Sequence, residues 1–306
     1  MSSEFDIVVA GGGIAGLTSG LTAARLGRKT LVLTGDVLGG NLLSIERVEG
    51  YPGFPEGVPG YELCPMAQAQ AAEAGAEFEA TPLQRIERRD SGFRLVTGEA
   101  EISARAVIVA TGAGIRTLGV PGEERLKGKG VSHCASCDGP MLREAAVAVV
   151  GGGDSALQEA LTLAQYVSRV IVLHRGPALS AQASYRDRAS AEQKIAVRYR
   201  TVVEEIIGDS VVTGVRVRSE NGGTELLEVA AIFAYPGLEP NTAFLEGFLD
   251  CDASGRIPTD GQMATQQPGV FAAGSIRSGW AGRAAASAGE GASAAMAAHR
   301  YLYGAT

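Results

Sequence analysis

The 306-residue chain is short of cysteine, tryptophan and histidine, with four, one and three of them, and only 20% of it is charged. Each shortage excludes something. Four cysteines are too few to staple a chain of this length into a disulfide scaffold. Zinc needs about four ligands; beyond the close pair Cys134 and Cys137, only Cys64, Cys251, His133, His174 and His299 remain, scattered, so no metal is expected. No apolar run reaches the roughly 18 residues of a membrane span. The acidic opening, Glu4 and Asp6 around Phe5, does not fit a signal peptide, so the expected location is the cytoplasm. A formal net charge of −7 supplies no basic surface, which argues against nucleic acid and anionic membranes as partners. Glycine, by contrast, is plentiful at 42 residues. It has no Gly-X-Y period, and with 45% hydrophobic residues the composition fits neither collagen nor a disordered chain. The length suits two domains of about 150 residues.

The glycines are concentrated at punctuation points. Residues 5–10 form an apolar, β-branched run that reads as a buried parallel strand. It leads into Gly11, Gly13 and Gly16, after which Ile14, Leu17, Leu21 and Ala24 recur at helical spacing until Gly27, followed by a second strand over 29–34. The same unit recurs about 140 residues later. There the strand is 145–150, the turn holds Gly151, Gly153 and Ala156, the helix runs from 156 to about 166, and a strand follows at 169–173. Such a duplication predicts an α/β fold of two doubly wound dinucleotide-binding domains. Residues 118–122 and 235–241 read as linkers, and an alanine-rich helix from about 283 to 303 closes the chain. The second domain is therefore expected to be inserted into the first: 1–117 with 248–306 around 118–247.

A glycine turn between strand and helix lets the backbone approach a pyrophosphate, whose charge sits at the helix N-terminus. Alone, either turn could be a tight structural turn. The acidic residue that often follows at the end of the next strand is absent, since Thr34 and Gly35 stand there, with Asp36 just beyond. Two such turns beside Cys134-Ala-Ser-Cys137 suggest electrons passing between nucleotides and a disulfide. The pair could otherwise be a zinc half-site or two inert thiols. Redox exchange needs two bridgeable sulfurs, one attacking and one resolving, and a helix start favours a thiolate there. Asp138 follows at once. A carboxyl beside a thiolate resists ionisation and can serve as a general acid; its plainer role is helix capping. His133 could steady a thiolate or simply be a hydrogen-bonded neighbour, and Trp280 could stack on a ring or fill a loop.

At these residues the chain resembles the low-molecular-weight thioredoxin reductases, flavin-dependent disulfide reductases, over nearly its whole length. The likeness is carried by GGGIAG at 11–16, GGNL at 39–42, VEGYPG at 48–53, ATG at 110–112 and KGVSHCASCDG at 129–139. GGGDSA at 151–156, PNT at 240–242 and FAAG at 271–274 continue it. The resemblance implies FAD in the discontinuous domain, at Gly11, Gly13, Ile14, Ala15, Gly16, Gly40, Asn41, Leu42, Ala110, Thr111 and Gly112. Gly274, Ser275, Arg283, Ala284 and Ala285 complete that set. It implies NAD(P)H in the inserted domain, at Gly151, Gly153, Asp154, Ser155 and Ala156, with His174 and Arg175. Hydride would pass from nicotinamide to flavin, and reduced flavin would attack the disulfide through Cys137. Cys134 would exchange with a thioredoxin-like protein, and Asp138 would donate a proton. A homodimer is implied as well, as is rotation of the smaller domain on hinges at 119–122 and 236–240.

The chain also departs from the family. Where NADPH-selective members carry HRRxxxR, it has His174, Arg175, Gly176 and, at the last position, Ser180. Each lost charge-assisted contact to a 2′-phosphate is worth about 1.5–3 kcal/mol, so strong NADPH preference is not expected unless Arg186 or Arg188 reaches in. The family's AAGD ends in Ser275, and its RQA is Arg283-Ala284-Ala285. Bulky aromatics after CDG are replaced by Pro140, Met141 and Leu142. These changes keep alternatives open: oxidation of small dithiols by oxygen, a reductase fed by a non-nicotinamide donor, or a redox sensor without turnover.

Overall fold

The computed structural model describes residues 4–98 and 100–304. The chain divides into two units, Met1–Gly114 with Glu239–Thr306, and Ile115–Leu238. In the first, β1 (Glu4–Ala10) leads through the glycine turn to α1 (Ile14–Arg25) and β2 (Thr30–Leu33). There follow α2 (Gly60–Glu73), β3 (Glu77–Glu79), the hairpin β4 (Arg85–Arg89) and β5 (Gly92–Val96), β6 (Glu101–Val109) and β7 (Ala113–Ile115). The second unit runs β8 (Val131–Ser132), α3 (Ala135–Asp138), β9 (Ala146–Val150), α4 (Asp154–Leu163), β10 (Arg169–Leu173), α5 (Ala183–Ala191) and β11 (Ile195–Arg198). A meander of β12 (Thr201–Ile207), β13 (Gly214–Ser219) and β14 (Thr224–Glu228) precedes β15 (Ala231–Ala234). β16 (Leu238–Pro240) leads back to the first unit, which ends with β17 (Val270–Ala272) and α6 (Ala284–Leu302).

The sheet of the first unit has the order β3-β2-β1-β6-β5-β4. β1, β2, β3 and β6 are mutually parallel, and the hairpin β4–β5 joins antiparallel. Beyond Ala104 the outer edge of β6 passes from β5 to β17, which pairs parallel with Val107–Val109. The period of two divides β1 between two cores. Ile7 and Val9 face a layer with Ala294 and Ala298 of α6, whereas Val8 and Ala10 face one containing Leu245, Leu249 and Ile257.

In the second unit the parallel sheet β11-β10-β9-β15-β8 is likewise divided. Val147, Val149, Val170 and Val172 pack under α4 and α5 with Leu157 and Leu163. Ala148, Ile171 and Leu173 meet Val215, Val217 and Leu227 of the antiparallel meander, which covers that face in place of helices.

The element bounds fall within a few residues of the sequence pattern, but the unit boundaries do not coincide with the expected 117/118 and 247/248. The crossings lie at 114/115 and 238/239, inside β7 and β16, which pair as a two-stranded sheet. Residues 239–247 belong to the first unit because Leu245 is fully buried in its core, with Phe244 packed against it. Nor is 118–122 a free linker. Leu118 and Val120 pack on the core of the second unit, and buried Glu123 accepts from the Leu118 and Gly119 N–H groups at 2.8 Å each.

Candidate active site

In the first glycine turn the three glycines do three different jobs. Gly11, at φ +121°, is in a region glycine favours, and a side chain there would strike the Ala110 carbonyl. A Cβ on Gly16 would strike the Gly11 carbonyl, so this residue sets how closely α1 packs on the strand. At Gly13 a Cβ would meet nothing within 4 Å. Gly13 is the N-cap of α1, offers no side-chain acceptor to the first-turn N–H groups, and is followed by no acidic residue in that turn. The helix end is therefore a positive, uncapped cradle that suits a pyrophosphate.

Several of the residues expected around FAD lie near this turn or contact one another. Gly39 N–H donates to the Gly12 carbonyl at 2.8 Å, which brings the 3₁₀ turn Gly40–Ser44 beside the cradle. Asn41 Nδ2 donates to the Ala113 carbonyl at 2.6 Å, tying that turn to the segment after β6. Ile14 and Val48 share an apolar cluster with Leu42 and Ala284. A Cβ on Gly112 would lie 3.7 Å from Ser275 Oγ, and one on Gly274 would lie 2.9 Å from the Ala15 Cβ. Thr111 Oγ1 donates to the Asn241 carbonyl, and Asn241 Nδ2 returns a bond to the Thr111 carbonyl. Arg283 is the N-cap of α6, its exposed side chain bonded to the Gly282 carbonyl, and Ala285 lies in the first turn of that helix. Trp280 donates through Nε1 to Ser287 Oγ at 2.8 Å, so its indole is held by α6.

The Gly274–Ile276 turn has a brace that sequence reading did not find. Glu290 accepts from the Gly274 N–H at 2.8 Å and from Arg277 at 2.6 Å, with the two side chains 11% and 15% exposed. Asp252 accepts from Ser278 and from Ser254, and these hydroxyls, with the Arg256 and Ser254 N–H groups, hold its carboxyl well below the usual carboxylate range. An ion pair 13 positions apart and a hydroxyl–carboxylate hydrogen bond 26 apart have no signature in one sequence.

In the second turn Gly151 sits at φ +145°, and a Cβ there would press on the Tyr235 carbonyl and on the Ala156 methyl. Gly153 caps α4 without a side chain, and its Cβ position has only Ser180 Oγ in reach, at 3.8 Å, which again leaves room for a phosphate. Ser155 is exposed on the first turn of that helix, and Asp154 is tied to Gln182 through two 2.7 Å bonds. The imidazole of His174 lies on Gly152 and Gly176, its Nε2 donating to the Ala178 carbonyl at 2.9 Å. Arg175 is exposed.

Cys134 and Cys137 are joined in a disulfide at the start of α3. Cys134 is the N-cap, and its Sγ accepts from the Cys137 N–H at 3.3 Å. Asp138 closes this short helix, and Met141, three residues on, is 76% exposed. α3 packs on α4: Ala135 is buried with Leu157 and Leu163, and a Cβ on Gly139 would press on the Tyr166 ring. His133 donates through Nδ1 to the Ala234 carbonyl at 2.8 Å, so it is a hydrogen-bonded neighbour of the pair. Glu159 was not anticipated. It accepts from the Ala135 N–H at 2.7 Å and from the Tyr235 hydroxyl at 3.1 Å. The signal was an acid three residues after Ala156 and four before Leu163, on the apolar face of α4. The remaining cysteines lie elsewhere: Cys64 is buried in the first unit, where burial pushes its thiol to about 11, and Cys251 is exposed. Among the described residues no three His, Cys, Asp or Glu side chains gather as a metal site, and no helix is long and apolar enough to cross a membrane.

Two glycine cradles and a disulfide can be compared with known proteins. Residues 5–297 match the model of the pyridine nucleotide-disulphide oxidoreductase family. The chain belongs to that family. It is 37% identical to the thioredoxin reductase of Treponema pallidum over 303 residues, covering 99% of this chain and 98% of that one. It is 38% identical over 300 residues to a bifunctional thioredoxin reductase/thioredoxin of Mycobacterium leprae, covering 97% and 66%. Among solved structures, the thioredoxin reductase of Lactococcus lactis superposes with a TM-score of 0.95 at 35% identity, covering 98% and 99%. As a member of this family the chain is an oxidoreductase acting on a disulfide, a flavin-dependent disulfide reductase with two dinucleotide-binding domains.

Proposed function

We propose that the chain reduces the disulfide of a thioredoxin-like protein with electrons from NADH or NADPH, working as a cytoplasmic homodimer. The observation that carries the reading is the Cys134–Cys137 disulfide at a helix start, in the same unit as the second glycine cradle. Bound FAD would supply two-electron exchange between nicotinamide and disulfide. Gly11, Gly13 and Gly16, with Ile14 and Ala15, would hold its pyrophosphate; Ser275 and the 110–112 segment would line the rest of the site. In the reduced pair, Cys134 attacks a sulfur of the partner's disulfide and forms a mixed disulfide, and the partner's other sulfur leaves as a thiolate. Asp138 supplies a proton to that leaving sulfur. Cys137 then attacks Cys134, re-forming the internal bond; the partner's second sulfur leaves, takes up the proton given up by the Cys137 thiol, and the partner is released as a dithiol. The relative from Mycobacterium leprae, whose name joins both activities in one chain, supports thioredoxin as that partner.

The nucleotide site favours no strong choice of donor. Gly176 and Ser180 stand where two arginines would face a 2′-phosphate, and Arg175 remains alone on that loop. The test is anaerobic mixing of the yellow protein with each nucleotide while flavin absorbance is followed, then steady-state reduction of the host's thioredoxins. If neither nucleotide bleaches the flavin, the nicotinamide-dependent reading falls. A second reading is favoured by the exposed Met141 and the lack of rings after the disulfide: small dithiols are oxidised and oxygen becomes hydrogen peroxide. Peroxide formed from added dithiol without nicotinamide would select it.

A further inference from the structure

One carboxylate next to the disulfide has no part in the exchange chemistry above. Glu159 reaches from α4 to the first turn of α3, where it takes the Ala135 N–H at 2.7 Å. That turn is also where Cys134 Sγ, as the N-cap side chain, takes the Cys137 N–H. Backbone N–H donors stabilise a nearby anion by hydrogen bonding, and a thiolate on Cys134 would gain from those of this turn. Glu159 places a second negative charge on the same few N–H groups. Tyr235 binds this carboxylate through its hydroxyl at 3.1 Å and keeps its own proton firmly, because burial and then the Glu159 charge push its phenol up. Titratable neighbours include Asp138, whose charge also acts on Tyr235, and His133, whose ring meets Tyr235 edge-on at 6.4 Å. Tyr166 lies against Gly139, and the hydroxyls of Ser132 and Ser136 contact Cys134 at its N–H and Sγ.

We propose that Glu159 is a positioning residue that sets the reactivity of Cys134: its carboxylate anchors the first turn of α3 and opposes thiolate formation, and Tyr235 moderates that opposition by binding the carboxylate. A thiol that ionises less readily makes the reduced pair a stronger reductant and its thiolate a stronger nucleophile, which suits a chain that passes electrons onward. The proposal rests on the reading of Cys134 as the exchanging sulfur.

The experiment uses the FAD-loaded full chain with Cys137→Ser and Cys251→Ser, so that Cys134 is the accessible thiol. Its alkylation by iodoacetamide is followed by mass spectrometry from pH 5 to 10. Glu159→Gln can keep an acceptor for the Ala135 N–H while removing the charge. It should lower the alkylation midpoint by about 0.5–1 unit and speed the reaction below the midpoint by about three- to tenfold. Tyr235→Phe should move the midpoint the other way, by about 0.3 unit, because the carboxylate loses its donor. Opposite shifts are the signature of charge, since mere loosening of α3 would move both variants together. A Glu159→Gln midpoint that stays within about 0.2 unit, or rises, overturns the proposal, as does movement of both variants in one direction. If Glu159→Gln does not fold, Tyr235→Phe decides: a rise supports the proposal and no rise overturns it. Failure of the reductase reading would appear separately, as no exchange between the reduced wild-type chain and a thioredoxin disulfide, and leaves the midpoints readable.

Discussion

Replacing Gly13 by alanine separates cofactor binding from folding. The backbone at φ −76° and ψ 176° is open to any residue, and the added methyl would meet nothing within 4 Å. The apo chain should therefore keep its stability to within about 1 kcal/mol, because a less flexible unfolded state offsets the poorer fit of alanine at an N-cap. In the loaded protein the methyl stands at the mouth of α1, where the first-turn N–H groups would meet the pyrophosphate. Losing two charge-assisted hydrogen bonds there costs about 3–6 kcal/mol, or roughly a hundred- to ten-thousandfold in FAD affinity. The assay is FAD titration of the stripped protein by fluorescence quenching, paired with thermal unfolding of both forms. Saturating FAD at about 100 times Kd stabilises a folded chain by about 2.7 kcal/mol, and the variant should lose that gain at the same concentration. Gly16→Ala is the control: its methyl would strike the Gly11 carbonyl, so the apo protein itself should melt early. An alanine at position 13 that binds FAD with wild-type affinity, or that unfolds the apo chain, refutes the assignment of Gly13 as the point of phosphate approach.

Restoring arginines by Gly176→Arg with Ser180→Arg should raise the ratio of kcat/KM for NADPH over NADH by about ten- to a hundredfold, read from initial rates with each nucleotide. Glu290→Gln strips the charge from the pair that braces Gly274, and Arg277 then lacks its counter-ion; a loss of about 2–4 kcal/mol is expected, seen as a lower Tm in apo and loaded protein alike. Asp252 titrates below its unfolded value, so the stability it contributes is complete above about pH 4 and fades as pH falls toward the depressed pKa. The Tm gap between wild type and Asp252→Asn should accordingly narrow between about pH 4 and pH 2, and a constant gap would show that the carboxylate charge plays no part.

The parts of the molecule governed by local pattern were legible in the sequence. The two strand–turn–helix units, the strand Arg169–Leu173 and the closing helix fall where apolar spacing and glycines put them. Features set by distant partners were not. The end of the second unit was placed nine residues late because Pro236 and Pro240 mark a bend but do not say which core takes Leu245. Residues 118–122 carry the glycines and proline of a linker, and only the structure reveals Glu123 folding back on their N–H groups. Tyr235 is the case with most consequence for the site. It reads as the first residue of the 235–241 linker, yet its hydroxyl meets Glu159, 76 residues earlier, because β15 lies beside β9 in the sheet.

The two glycine turns differ at their third position for a reason that lies outside the turns. α1 is gripped on two sides: Gly16 lies on the Gly11 carbonyl, and on the α6 side Ser19 donates to the Gly291 carbonyl at 3.0 Å while Gly291 itself has no room for a Cβ beside the Ala15 carbonyl. A methyl at position 16 cannot be absorbed by moving the helix outward, because α6 blocks that path. In the second unit the equivalent methyl belongs to Ala156 and is accommodated, since Gly151 offers no Cβ to oppose it. Here the neighbours of α4 are the short α3 and α5, which meet it through side chains such as Leu157, Leu163 and Tyr185. Helix packing, more than the demands of phosphate, therefore decides which of the two turns must end in glycine. Both turns keep their first glycine, Gly11 or Gly151, at positive φ, and their middle glycine, Gly13 or Gly153, where an open Cβ position would leave the backbone alone to face a ligand.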